Sequence, residues 1–127
     1  MLAAVRRRSR ELMTILIAES SPLIADRLTR TLKELPGFKT ITHAADITHV
    51  MCALRKHRPS VVIVDPHIAG SGGMELLKNI KRPQQTLVLI VLSNFACSAH
   101  RRSCLKAGAD YYLDKSTEFD RVAQLIH

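Results

Sequence analysis

The sequence predicts an α/β domain: one parallel sheet of five strands, with helices packed on both faces. Three observations predict it. First, Val61-Val62-Ile63-Val64 is an unbroken β-branched run that ends in Asp65 and Pro66. A short, wholly apolar run reads as a strand buried on both faces, near the centre of a parallel sheet. Pro66 has no N–H to give a ladder, so the strand ends there. Second, strand-like and helix-like stretches alternate five times without an internal repeat, which implies right-handed crossovers. Third, the strands end in polar residues: Glu19-Ser20, Asp65, Ser93 and Lys115. In open α/β sheets the carboxyl ends of the strands are where ligands and chemistry collect.

The elements follow in order. Residues 14–18 form the first strand. Ser21 before Pro22 reads as an N-cap with proline in the first turn. That helix extends to about Leu35, with Ile24, Leu28, Thr31 and Leu35 along one stripe, and Pro36-Gly37 stops it. Residues 39–44 are a second strand, less apolar and therefore nearer an edge. Asp46 caps a helix carrying Ile47, Val50, Met51 and Leu54 at helical spacing. After the Asp65 strand, residues 68–73 read as a flexible glycine-rich loop, and a helix runs from Met74 to about Ile80. Residues 86–92 are the fourth strand. Cys97 to Ala107 is a basic helix stopped by Gly108. Residues 110–113 are a short fifth strand, and a last helix starts near Thr117.

The bulk numbers agree with one domain. The chain has 127 residues, 46% hydrophobic and 24% charged, as in ordinary globular domains. No apolar run is long enough to span a membrane, so we expect a cytoplasmic protein without membrane contact. Cys52, Cys97 and Cys104 make an odd count with no C-x-x-C, which argues against a disulfide framework. The net charge is +8, and residues 1–12 contribute four arginines against Glu11. Those residues read as a basic tail that adds little to the core, with the folded domain spanning residues 13–127.

The strand ends place a carboxylate pair, a hydroxyl and an amine at one sheet edge. Four pieces carry a further resemblance: I-L-I-A-E-S-S-P-L, V-V-I-V-D-P-H-I-A-G-S-G-G-M-E-L-L, V-L-I-V-L-S-N and K-A-G-A-D-Y-Y-L-D-K. In this order the chain resembles the receiver domain of bacterial two-component response regulators, the family of CheY. The resemblance covers about residues 14–127 and implies a flavodoxin-like (CheY-like) doubly wound sheet of order 2-1-3-4-5. It implies that Asp65 accepts a phosphoryl group from a histidine kinase or phosphotransfer protein. Lys115 would pair with the phosphoryl oxygens, and Ser93 would hydrogen-bond them. Tyr112 would turn inward as Ser93 moves. Magnesium would be held by Glu19, Asp65, the backbone carbonyl of His67 and, weakly, Ser20. The chain would signal by being modified, turning over no metabolite.

Two departures from the family pattern stand out. Ser20 replaces the second acid, the direct ligand of Mg²⁺, and a neutral hydroxyl is a poor ligand for that hard cation. Ser116 follows Lys115 where many members have proline, so a cis peptide is not expected there. Other residues open further readings. Cys97, His100 and Cys104 share a helical face and could bind zinc, but lack a fourth ligand. Gly70-Ser71-Gly72-Gly73 is neither a dinucleotide fingerprint nor a P-loop. Arg101, Arg102, Lys106 and Arg121 give the face formed by the fourth helix, fifth strand and fifth helix a basic character. In the family that face docks output partners or a second protomer, so an acidic partner or a homodimer is implied. DNA is a partner only if a C-terminal output domain belongs to the protein. The alternative is a degenerate receiver that binds a partner without phosphorylation.

Overall fold

The computed structural model describes residues 13–37, 39–95 and 97–126; the anticipated basic tail lies outside them. Five strands pair in parallel: β1 (Met13–Ala18), β2 (Lys39–Ala44), β3 (Val61–Val64), β4 (Val88–Ser93) and β5 (Tyr111–Asp114). Their order is β2-β1-β3-β4-β5. The helices are α1 (Pro22–Lys33), α2 (Ile47–His57), α3 (Gly73–Lys81), α4 (Ser98–Lys106) and α5 (Arg121–Ile126). Among the described residues no helix is long and apolar enough to cross a membrane.

Period-two alternation sorts the strand side chains onto two faces. Ile15, Ile17, Val61, Ile63, Ile90, Leu92 and Leu113 pack under α1 and α5. Leu16, Ala18, Val62, Val64, Leu89 and Val91 pack under α2 and α3, with Cys104 of α4. Every residue of β3 and β4 is buried, whereas β2 is largely intermediate or exposed, as its composition and edge position require. The helix starts follow their caps. Ser21 Oγ accepts from Ile24 N at 3.3 Å, with Pro22 in the first turn. Asp46 Oδ1 accepts from His49 N at 2.9 Å.

The sheet order places β1 and β3 side by side at the point where the winding reverses. Their ladder continues past the strands, with Asp65 N donating to Ala18 O at 3.1 Å. Glu19 N bonds Ala44 O at 3.1 Å, and Lys115 N bonds Ser93 O at 2.8 Å. These backbone bonds fix Glu19, Asp65 and Lys115 along one edge.

Three local readings change. The stretch after Asp65 is not an irregular loop: Pro66–Gly72 forms 3-10 turns, kinked where Gly70 takes φ 59°. Pro66 fixes its own φ, and Ile68 N closes a turn onto Asp65 O at 3.1 Å. The last helix begins at Arg121 and not at Thr117, because Asp114 holds residues 115–118 in turns. Its Oδ1 accepts from Ser116 N at 2.8 Å and Thr117 N at 3.3 Å. On α1 the buried stripe centres on Ala25, Leu28 and Leu32, and Ile24 and Leu35 flank it. No peptide bond is cis among the described residues.

Gly73 opens α3 directly against Pro66. A Cβ there would lie 2.9 Å from Pro66 Cβ and 3.0 Å from Pro66 O, whereas one on Gly72 would meet only Ala69 Cβ at 3.9 Å. Gly73→Ala should therefore lower stability by about 1–3 kcal/mol in urea unfolding. Gly72→Ala should stay within roughly 0.5 kcal/mol of the unmodified protein.

Candidate functional site

Asp65 is the first residue past the all-apolar β3 and is only 9% exposed. Its carboxylate is held on both oxygens. Oδ1 accepts from His67 N at 3.0 Å, and Oδ2 accepts from Lys115 Nζ at 2.5 Å. Glu19 is more buried still; its Oε1 lies 2.8 Å from the same Nζ, and its Oε2 accepts from Ser21 N at 3.0 Å. One ammonium thus joins two carboxylates supplied by neighbouring strands, and the Lys115 side chain is itself buried.

Burial alone would raise the proton affinity of Asp65. The Lys115 ammonium and the His67 amide outweigh it and hold the carboxyl below the ordinary aspartate value. Burial alone would lower the proton affinity of Lys115. Its bonds to Asp65 and Glu19 outweigh that and hold the amine above the ordinary lysine value. With both carboxylates charged and Lys115 protonated, the three groups sum to a single negative charge.

Ser93, at the end of β4, is fully buried, and its Oγ accepts from Phe95 N at 3.2 Å. Tyr112 of β5 is buried with its hydroxyl donating to Phe95 O, and its own carbonyl accepts from Arg101 Nη1 at 3.3 Å. Ser20, by contrast, is exposed.

At the site the side chain of Phe95 was not picked out in sequence, and those of His67 and His100 take parts other than the ones expected. His67, expected to offer only its carbonyl, also brings Nδ1 to 3.2 Å from Asp65 Oδ1. Its ring packs edge-on to Phe95, with centroids 4.4 Å apart. Phe95 packs in turn on His100 at 5.4 Å, and His100 packs on Tyr112 at 5.6 Å. These rings join the turns after Asp65 to β5. Beside them lies a cavity of about 230 Å³, lined by Pro66, His67, Gly70, Met74, Phe95 and His100 among others. The only sequence signal was position: His67 and Phe95 each stand two residues past a polar strand end.

The zinc reading does not survive. Cys97 precedes α4 and is exposed, while Cys104 is buried with Sγ 3.7 Å from His100 Nε2. Among the described residues, no three His, Cys, Asp or Glu side chains gather to hold a metal ion. For a hard divalent cation the side-chain donors are the two carboxylates, Glu19 and Asp65. Magnesium commonly binds through one or two carboxylates and keeps several waters. The donor set therefore suits that cation, with one acid fewer than the family pattern.

The family model for the response regulator receiver domain matches residues 15–127. Among curated relatives, the Bacillus subtilis transcriptional regulatory protein CitT is 26% identical over 112 residues, covering 88% of this chain and 50% of that protein. The chain spans about half the length of the curated relatives it matches. Among solved structures, the signal receiver domain of the DNA-binding response regulator merR from Colwellia psychrerythraea aligns with TM-score 0.81 and 24% identity, covering 90% of this chain and 94% of that one. The Mn²⁺-bound form of the response regulator Rcp1 aligns with TM-score 0.75 and 19% identity, covering 90% and 88%. Its sheet order and the match along nearly all of its length show that this chain belongs to the response regulator receiver domain family of two-component systems.

Proposed function

We propose that this receiver accepts a phosphoryl group on Asp65 from the phosphohistidine of a histidine kinase or phosphotransfer protein, and that the modification changes partner binding. The observation that carries the proposal is the Lys115 ammonium lying between Asp65 Oδ2 (2.5 Å) and Glu19 Oε1 (2.8 Å) at the crevice between β1 and β3. A carboxylate kept charged is a ready nucleophile. An Asp65 oxygen forms a bond to phosphorus as the phosphorus–nitrogen bond to the donor imidazole breaks, and the imidazole leaves with the electron pair. Lys115 then exchanges a carboxylate oxygen for a phosphoryl oxygen. The Ser93 hydroxyl hydrogen-bonds another.

A bound Mg²⁺ would be held by Glu19, Asp65 and the backbone carbonyl of His67, and it supplies positive charge to the transferring group. Ser20 contributes no charge to that set. Readout runs from Ser93 through Phe95 to Tyr112, because the hydroxyls of both residues bond the Phe95 backbone. Tyr112 in turn bonds Arg101 on the α4–β5–α5 face, where exposed Arg102 and Lys106 favour an acidic partner, and where a second protomer could dock instead. DNA is a partner only if a C-terminal output domain belongs to the protein, a case that fits the name of the transcriptional regulatory protein CitT, half of which this chain matches.

Incubation with acetyl phosphate or phosphoramidate should add one phosphoryl group, read by intact mass, and Asp65→Asn should abolish it. A phosphoryl group retained in that variant assigns the acceptor elsewhere. The metal makes a separate prediction. Missing one charged ligand should weaken Mg²⁺ binding by about tenfold or more. Millimolar Mg²⁺ should therefore barely raise the melting temperature, since a ligand stabilises only in proportion to its occupancy of the folded state. Ser20→Asp should produce a clear Mg²⁺-dependent rise and faster phosphorylation. Tight Mg²⁺ binding by the unmodified protein, unaltered in Ser20→Asp, would place Ser20 away from the metal.

A further inference from the structure

At the sheet edge opposite Asp65, the C-terminal ends of α2 and α3 flank a groove of about 560 Å³. That volume lies in the range of pockets that hold drug-sized ligands. Its floor is apolar: Met51, Leu54, Pro59, Ile80 and Leu87. Pro59, Ile80 and Leu87 are buried, while Met51 and Leu54 cover the core only in part. Its rim is cationic, formed by Arg55 and Arg58, and no acidic residue lines it. Both arginines are exposed, and neither guanidinium has an ion pair or hydrogen bond among the described residues.

Basic residues at helix C-termini complement the helix dipole, and the last turns of α2 and α3 carry Arg55, Lys56, His57, Lys78 and Lys81. That accounts for positive charge, and core packing accounts for Ile80 and Leu87, but neither accounts for Met51 and Leu54 left half-exposed between the helices. Nor does either account for the cap of α2. Arg58 takes left-handed φ 45°, ψ 62°, a conformation that glycine usually supplies at a helix end. Here an arginine occupies it, and its side chain lines the groove.

We propose that this groove docks an acidic segment of a partner protein, with an apolar side chain seated on the half-exposed Met51 and Leu54 and carboxylates paired to Arg55 and Arg58. Charge complementarity selects the occupant. The chain's own first twelve residues carry four arginines and are repelled by the same rim. Nucleic acid would satisfy the arginines but leave the floor uncovered. The surface lies at the opposite sheet edge from Asp65, and the unphosphorylated chain presents it.

The test is fluorescence anisotropy with the full chain and four labelled probes. The first is a short peptide with a central Leu-Phe pair flanked by Asp and Glu. The second is the same peptide with Ser in place of Leu-Phe, the third has Lys in place of the acids, and the fourth is single-stranded DNA of equal charge. Only the first should bind appreciably, and moderate salt should weaken it. The charge reversal Arg55→Glu with Arg58→Glu should weaken it by about tenfold or more. Leu54→Ser, on the half-exposed floor, should weaken it while leaving the melting transition cooperative. Asp65→Asn should bind as the unmodified chain does, even if phosphorylation fails. Failure of the first peptide to bind, or equal binding of the Ser peptide or DNA, overturns the proposal. So does an affinity unmoved by the arginine reversals.

Discussion

The site depends on one interaction: the Lys115 ammonium held between Glu19 and Asp65. Two buried carboxylates side by side repel each other, and burial adds a desolvation penalty to each. Lys115 offsets both effects and is itself kept charged by them. Removing one partner of a buried ion pair leaves the other uncompensated, at a cost of about 3–5 kcal/mol. The arrangement therefore contributes stability only within a pH window. Asp65, whose folded pKa is depressed, contributes stability above its unfolded value that is lost as pH falls through the folded one. Lys115, whose folded pKa is raised, contributes stability below its unfolded value that is lost as pH rises through the folded one.

Sheet register makes the interaction possible. Ile17 pairs with Ile63 and Ala18 with Val64, so the chains after β1 and β3 emerge together. Lys115 follows β5, two strands away from β3, and its long side chain reaches past the end of β4 to Asp65. On the proposed function, a phosphoryl group on Asp65 would disturb the bond from Oδ2 to Lys115 and the contact of Oδ1 with His67 at once. His67 touches Phe95, and Phe95 carries the backbone groups bonded by Ser93 and Tyr112. A charge change at one oxygen thus has a contiguous route of packed rings and hydrogen bonds to the face that carries Arg101.

What could be read in the sequence was whatever depends on local pattern. The β-branched run before Asp65, the Ser21-Pro22 start and the Asp46 cap each specify an element through neighbours in the chain, and the structure contains all three. The polar strand ends were visible because their order matched the alternation of elements. Contacts between separate loops were not. His67, Phe95 and His100 meet only because the loops after β3 and β4 fold over the same edge, and no spacing rule encodes that meeting. The delayed start of α5 was missed for a similar reason: Asp114 competes for the amides of Ser116 and Thr117 through its side chain. On α1, Leu32 outranks Thr31 because an apolar side chain of that length reaches the sheet.

The most direct measurement is a carbon-detected NMR titration of the Asp65 side-chain carboxyl in buffer free of divalent cations, for the unmodified chain and for Lys115→Gln. In the unmodified chain the carboxyl should titrate below the ordinary aspartate value of about 3.9. In Lys115→Gln, where only the bonds from His67 still oppose burial, it should titrate higher than in the unmodified chain. An Asp65 carboxyl that titrates at the ordinary value in both proteins, unmoved by loss of the Lys115 charge, would contradict the account.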